Sequence, residues 1–323
     1  MTEHGRIVAV LDQVGDDGLL DAGGVPHLNH TGGPVHVRHI QVAGDGATSA
    51  RVAQIRALLT DASVPLVVVS GDLVEPVREE ILRLRNAGKH HPQVVWDATT
   101  GVDALLDWGP DPLAWSWLLS VLVYSPGDYT AAARAGIGVP VHLVPRLLDA
   151  HATPSGDCVA IYPGILGKDA AWRVPEICSF LEGRSVTPRL CVPAGMHRHA
   201  CSDATILRGC LGAVVLPGAR NRYRLVATHL ALGSPVLADF DVSLPQESAA
   251  GVDLRKRLLR PRMSGDLAFD AASFHHFCAF IRETPRTSDV RVSVLRTNAD
   301  AAWAGAIKTF FDMSFRMPRK VQT

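Results

Sequence analysis

Short apolar runs alternate with amphipathic stretches along the whole chain. In the first half, Arg6–Leu11, His36–Ala43, Pro65–Ser70, Gln93–Trp96, Val121–Tyr124 and Val139–Val144 predict strands. The stretches TSARVAQIRALLTD, EPVREEILRLRNAG, DPLAWSWLLS and DYTAAARAG between them predict helices. Several of the apolar runs are continuous, VPLVVVSG being the clearest, which is the pattern of strands buried on both faces. Helices between such strands predict a doubly wound parallel sheet, because right-handed crossovers lay helices on both faces.

The polar segment Asp149–Asp157 holds Pro and Gly, has no apolar period and predicts a linker. The alternation then restarts. Cys158–Tyr162, Arg189–Val192, Ala213–Leu216 and Pro235–Ala238 predict strands, and Asp169–Gly183, Ser202–Leu211 and Asn221–Leu232 predict helices. FDAASFHHFCAFIRE reads as a helix, and NADAAWAGAIKTFFDMSF as a terminal helix with Ala, Trp, Ile and Phe on one face. The expected fold class is α/β, with two Rossmann-like domains in tandem and a C-terminal helix. The expected domains are 1–150, 151–298, and a terminal helix over 299–323 that packs back on the first.

Hydrophobic residues make up 47% of the 323 residues and charged residues 20%, which suits a globular protein with a large core. Lys and Arg number 32 and Asp and Glu 32, so no global field draws the chain to nucleic acid or membrane, and any such attraction is local. No apolar run approaches the roughly 20 residues of a membrane span. MTEHGRIVAVLDQ lacks a signal-peptide pattern, so a cytoplasmic protein is expected. The six cysteines all lie in the second half, several inside apolar runs, and are expected as buried reduced thiols. MHRHAC brings together His197, His199 and Cys201, but the spacing matches no common zinc finger or ribbon, and no metal is expected.

The segment AVVLPGARNRYRLVATHLALGSPVLA (Ala213–Ala238) reads as strand, glycine turn, helix, turn and strand. Its first turn carries Arg220 and Arg222 beside the free amides of a helix N-terminus, a combination that holds phosphate. Lys168 follows the Gly164 turn after another strand and suits the same role. The bland reading of these cations is solvated surface charge. Asp12, Asp72 and Asp97 each stand where a strand ends, and the carboxyl edge of an open α/β sheet is where ligands bind. Asp97 and Asp12 are the leading candidates for a general base, with helix capping as the alternative for each and foremost for Asp72. His27, His30, His36, His39, His90 and His91 read as loop residues, and His229 as a packed or capping side chain. LRKRLLRPR places Arg255, Lys256, Arg257, Arg260 and Arg262 together, as a solvated face or as the contact for a phosphate-bearing acceptor.

Two such domains with a final helix resemble the GT-B fold of glycosyltransferases. The segment Ala213–Ala238 resembles the donor site of the large retaining group, its helix closing with Ala231, Gly233, Pro235 and Val236. AIYPGILGKDAAWRVPEI resembles the first strand, glycine turn and lysine of the same half, and ARAGIGVPVHLVP the last strand before the interdomain linker. The resemblance implies a nucleoside-diphosphate sugar as co-substrate and no other cofactor. It places donor contacts at Gly164, Lys168, Gly218, Arg220, Arg222 and Thr228, and catalysis in an interdomain cleft. The family's two glutamates, eight residues apart, fall on Arg220 and Thr228, and neither is acidic. Their loss points to inversion by direct displacement, with an aspartate base, no metal, and arginines offsetting the charge of the leaving diphosphate.

Other readings stay open. One is a glycosyltransferase acting on a modified base in DNA, with Arg255, Lys256 and Arg257 as the polyanion contact. Another is a non-catalytic GT-B relative serving as a binding or scaffold protein, and a third is a nucleotide-sugar epimerase. The acceptor is open, DNA and another phosphate-bearing polymer being the two considered.

Overall fold

The computed structural model describes residues 6–13, 29–30, 33–42, 48–98, 102, 108, 112–145, 147, 157–163, 173–191, 210–216, 219, 222–238, 240–244, 254–259, 271–283 and 290–316. The chain divides into two compact units. The first comprises Met1–Val14, Leu20–Val144 and Asp300–Thr323, and the second Gly15–Leu19 and Pro145–Ala299.

The first unit is built on strands β1 (Arg6–Gln13), β2 (Asn29–His30), β3 (Gly33–Val42), β4 (Leu66–Ser70), β5 (Gln93–Asp97), β6 (Leu118–Val123) and β7 (Val141–Leu143). Their order across the sheet is β2-β3-β1-β4-β5-β6-β7. All pairs are parallel except β2 with β3, an antiparallel pair at the edge. Every residue of β4 is buried, as its unbroken apolar run predicts for a strand covered on both faces. Helices α1 (Thr48–Leu59), α2 (Val74–Asn86), α3 (Pro112–Trp115) and α4 (Pro126–Arg134) lie between the strands in sequence. α2 turns Val74, Val77, Ile81 and Leu84 into the core, the spacing of one helix face. α4 starts sharply because the Ser125 hydroxyl accepts from the amides of Gly127 and Asp128, with Pro126 in the first turn.

DPLAWSWLLS is not the helix its pattern predicts. The helix is a single turn, Pro112–Trp115, and β6 begins at Leu118. All six residues of β6 are buried between β5 and β7, and that two-sided burial outweighs the helical reading of the preceding tryptophans. Trp96, Trp115 and Trp117 pack around Trp108, with ring centroids 5.1–6.0 Å from it.

The second unit carries β8 (Cys158–Tyr162), α5 (Arg173–Glu182), β9 (Thr187–Leu190), β10 (Cys210–Val215), α6 (Arg222–Ala231), β11 (Val236–Leu237), β12 (Leu258–Leu259), α7 (Ala271–Glu283) and the start of α8 (Val290–Arg316), whose residues from Asp300 belong to the first unit. Its sheet is parallel, in the order β12-β11-β10-β8-β9. The core joins Val159, Ile161, Ile177, Leu181, Val214 and Phe277. The turn after α6 holds Gly233, whose φ of +83° is a conformation that suits glycine after a helix. Two elements are displaced from their sequence reading. Cys210 and Leu211 belong to a strand rather than to the end of a helix over Ser202–Leu211, and β9 ends at Leu190 rather than Val192. α8 begins at Val290, ahead of the predicted start, and its residues after Asp300 bury Trp303, Ile307 and Phe310. The Phe310 ring meets His142 of β7 edge-on at 4.8 Å. Among the described residues no helix is long and apolar enough to cross a membrane. The sheets and their covering helices make the chain an α/β protein with two Rossmann-like units in tandem.

Candidate functional site

In an open parallel sheet, the crevice for a ligand opens where neighbouring crossovers run in opposite directions, at the carboxyl ends of the strands. In the first sheet that switch lies between β1 and β4, because β1 is flanked by β3 on one side and β4 on the other. Ser70 closes β4, Asp97 closes β5, and the two are direct partners in the ladder. Tyr124 follows β6, and its hydroxyl donates to Oδ1 of Asp97. Asp97 and Ser70 are both fully buried. The Ser70 hydroxyl has no hydrogen-bond partner among the described residues. A buried hydroxyl left unsatisfied costs about 1–3 kcal/mol, so a polar partner brought to this strand end would be stabilising. Gly71, next in the chain, has a φ of +55°, which lets the backbone turn directly out of β4 into a short 3-10 turn, Gly71–Leu73.

Asp12 lies in β1 one position past Leu11, the partner of Val69, which places it at the same carboxyl edge. Its side chain is outside the described residues, as is that of Asp72. The cap position of α2 is Leu73, with no side-chain cap bond.

In the second sheet the switch lies between β8 and β10. Tyr162 closes β8, is paired with Val215 in the ladder, and its hydroxyl meets Nε2 of His229 at 2.9 Å. Burial pushes the His229 imidazole down to about 3, so it is neutral at physiological pH. Its Nδ1 has no hydrogen-bond partner among the described residues. β10 leads into α6, whose first residue is Arg222. The Arg222 guanidinium donates to the Tyr223 hydroxyl at 2.6 Å and lies over the rings of Tyr223 and Phe240, at 4.7 and 5.4 Å from their centroids. These contacts hold a half-buried cation beside the amides that open the helix. α6 is buried from Tyr223 to Ala231, Arg224 and Thr228 included.

The structure therefore brings Asp97 to the edge of one sheet and Arg222 to the edge of the other. Thr228 is in the middle of buried α6, 2% exposed. Lys168, Arg220, Gly164 and Gly218 lie outside the described residues, as do His27, Arg260, Arg262 and the His197, His199, Cys201 group. The basic segment forms a 3-10 turn, Leu254–Arg257, followed by the edge strand β12, rather than a helix face. Arg255 and Lys256 are exposed, whereas Arg257 donates to the carbonyl of Gly233 and so closes the turn after α6. An open groove of about 540 Å³ lies elsewhere in the first unit, lined by Tyr129, His142, Leu143, Gly305 and Thr309 among others, and it shares no residue with Ser70, Asp97 and Tyr124. Sequence reasoning overlooked Ser70, Tyr124 and Tyr162. Each ends or follows an apolar strand with a polar group, which is the signal that picks out Asp97.

No family profile matches the chain, and no curated protein matches it. Among solved structures it is similar to the pneumococcal O-GlcNAc transferase GtfA in complex with UDP and GlcNAc, at 8% identity and a TM-score of 0.48. That likeness covers 82% of this chain, and the chain spans 60% of the length of that protein. It is also similar to the glycotransferase of kitacinnamycin, at 12% identity and a TM-score of 0.45, over 95% of this chain and 99% of that one.

Proposed function

We propose that the chain is a glycosyltransferase that moves a sugar from a nucleoside-diphosphate sugar to a hydroxyl acceptor, with inversion and with arginines rather than a metal offsetting the leaving charge. In this reading the Asp97 carboxylate takes the acceptor's proton while its oxygen attacks the anomeric carbon. The bond from that carbon to the diphosphate oxygen breaks, and the diphosphate is received by Arg222 and the opening amides of α6. Tyr124 orients the carboxyl. Exposed Arg255 and Lys256 suit an acceptor that carries phosphate, DNA included. The observation that carries the reading is that both parallel sheets gather polar or cationic side chains at the carboxyl ends of their strands: Ser70, Asp97 and Tyr124 in one, Tyr162 and Arg222 in the other.

One observation favours a second reading, a nucleotide-sugar-binding protein without turnover: the Asp97 carboxyl is fully buried against Tyr124. A thermal-shift panel of nucleoside diphosphates, followed by an assay for diphosphate release from the sugar nucleotide that binds, separates the two. Stabilisation with release supports the transferase. Stabilisation with no release on any acceptor supports the binding protein, and no stabilisation by any nucleotide overturns both.

A further inference from the structure

Cys158 opens β8 and Cys210 opens β10, and the two are direct partners in the parallel ladder. Their sulfurs are 3.7 Å apart. Neighbouring strands run about 4.8 Å apart, inside the roughly 4.4–6.8 Å Cα span that a disulfide bridges. An S–S bond is about 2.05 Å long, so modest side-chain rotation closes it. The ladder slips by a residue between Cys210 and Gly212, which places the pair at an irregular end of the sheet. Cys158 is partly exposed and Cys210 buried. The contact with Cys210 brings the Cys158 thiol down to about 7, with Arg189 helping, while the same contact and burial push Cys210 up. The reachable sulfur is thus the one that forms thiolate, and its neighbour keeps the proton.

We propose that Cys158 and Cys210 are a modification site that hydrogen peroxide closes to a disulfide and a dithiol reopens, tying β8 to β10 at their amino ends. The Cys158 sulfur attacks one peroxide oxygen, the O–O bond breaks, and the departing oxygen leaves as water once protonated. Cys158 is then a sulfenic acid. The Cys210 sulfur attacks it, the S–S bond forms as the S–O bond breaks, and the Cys210 proton leaves with the hydroxyl as a second water. Two thiols and one peroxide give one disulfide and two waters, the sulfurs losing two electrons. The bond would lock the strand pair that flanks the switch point of the second sheet.

The full chain, treated with stoichiometric hydrogen peroxide and digested without reductant, tests this. The expected result is a mass lower by about 2 Da, a cross-linked peptide joining Cys158 to Cys210, and reversal by dithiothreitol. Because the link spans 52 positions, the melting temperature should rise by about 5 °C or more on oxidation. Cys158→Ser, at the partly exposed position, should abolish both the cross-link and the shift, while Cys191→Ser should keep both. Accumulation of sulfinic or sulfonic acid at Cys158 without the cross-linked peptide overturns the proposal, as does a cross-link made through a different cysteine.

Discussion

The hydroxyl of Tyr124 donates to Oδ1 of Asp97, so the residue that follows one central strand fixes the carboxyl that ends its neighbour. A buried carboxyl held this way is oriented before any substrate arrives. Asp97→Asn should lower turnover by about 10²–10⁴ while nucleoside-diphosphate binding stays unchanged. Tyr124→Phe keeps the carboxyl but removes this hydrogen bond, and should cost about 1 kcal/mol of stability with a smaller loss of turnover. Rates and binding isotherms on both variants check the order of effects. Equal turnover in Asp97→Asn and the parent chain would remove Asp97 from the chemistry.

Ser70→Ala should leave stability unchanged or raise it, because the hydroxyl it removes makes no hydrogen bond among the described residues. Its effect should appear in acceptor KM instead. Urea unfolding beside steady-state kinetics separates a binding hydroxyl from a structural one.

Two buried groups give acid sensitivity in different pH windows. His229 is pushed by burial from its ordinary 6.5 to about 3, so the unfolded chain binds the extra proton between those values. Its contribution to stability is complete above about pH 6.5 and falls as pH drops toward 3, at up to about 1.4 kcal/mol per pH unit. Glu80 is drawn from 4.5 to about 2, first by its hydrogen bond from Arg83 and then by Arg56. Its contribution is present above about pH 4.5 and is lost as pH falls toward 2. Both arginines are about half exposed, so solvent screening holds the gain to about 1 kcal/mol. Urea midpoints should therefore begin to fall below pH 6.5, and His229→Leu should flatten the curve between pH 6.5 and 5 while leaving the limb below pH 4.5 in place.

The strands were legible because two-sided burial writes itself as an unbroken apolar run, and β4 and β8 stand where such runs stand. DPLAWSWLLS misled because a short apolar run fits a buried helix or a buried strand equally, and only its place between β5 and β7 decides. Asp97 was visible as a polar residue at a strand end. Its relation to Ser70 was not, since register between strands far apart in sequence decides which residues become neighbours. The same holds for Cys158 and Cys210. Thr228 misled in another way: the donor contact that its place implies lies inside a helix buried from Tyr223 to Ala231, whereas His229 is the packed side chain expected of it.

Gly212 of β10 lies directly under α7. A Cβ there would meet Cζ of Phe277 and the carbonyl oxygen of Pro235 at 3.0 Å, and Cδ1 of Ile281 at 3.2 Å. The backbone oxygen cannot swing aside as a side-chain end can. Gly212→Ala should therefore destabilise the second unit by about 1–3 kcal/mol, seen as a lower urea midpoint with an unchanged slope. An unchanged midpoint would mean that α7 does not press on β10 as described.

Arg222 is held by three contacts, the Tyr223 hydroxyl and the faces of Tyr223 and Phe240, and so keeps its charge near the start of α6 in the absence of ligand. Pre-placing a cation reduces the ordering cost of binding a diphosphate. Arg222→Ala should weaken nucleoside-diphosphate binding by about 10–100-fold, the worth of one or two charge-assisted hydrogen bonds. Arg222→Lys should recover only part of the loss, because an ammonium lacks the planar fork that stacks on the rings and grips phosphate with two bonds. Phe240→Leu should weaken binding less, since it removes one wall and leaves the charge. Isothermal titration of the three variants at fixed salt checks the ranking. If Arg222→Ala binds as tightly as the parent chain while Arg220→Ala does not, the phosphate grip lies two residues earlier in the chain, and Arg222 serves only to pin Tyr223 and Phe240 in place.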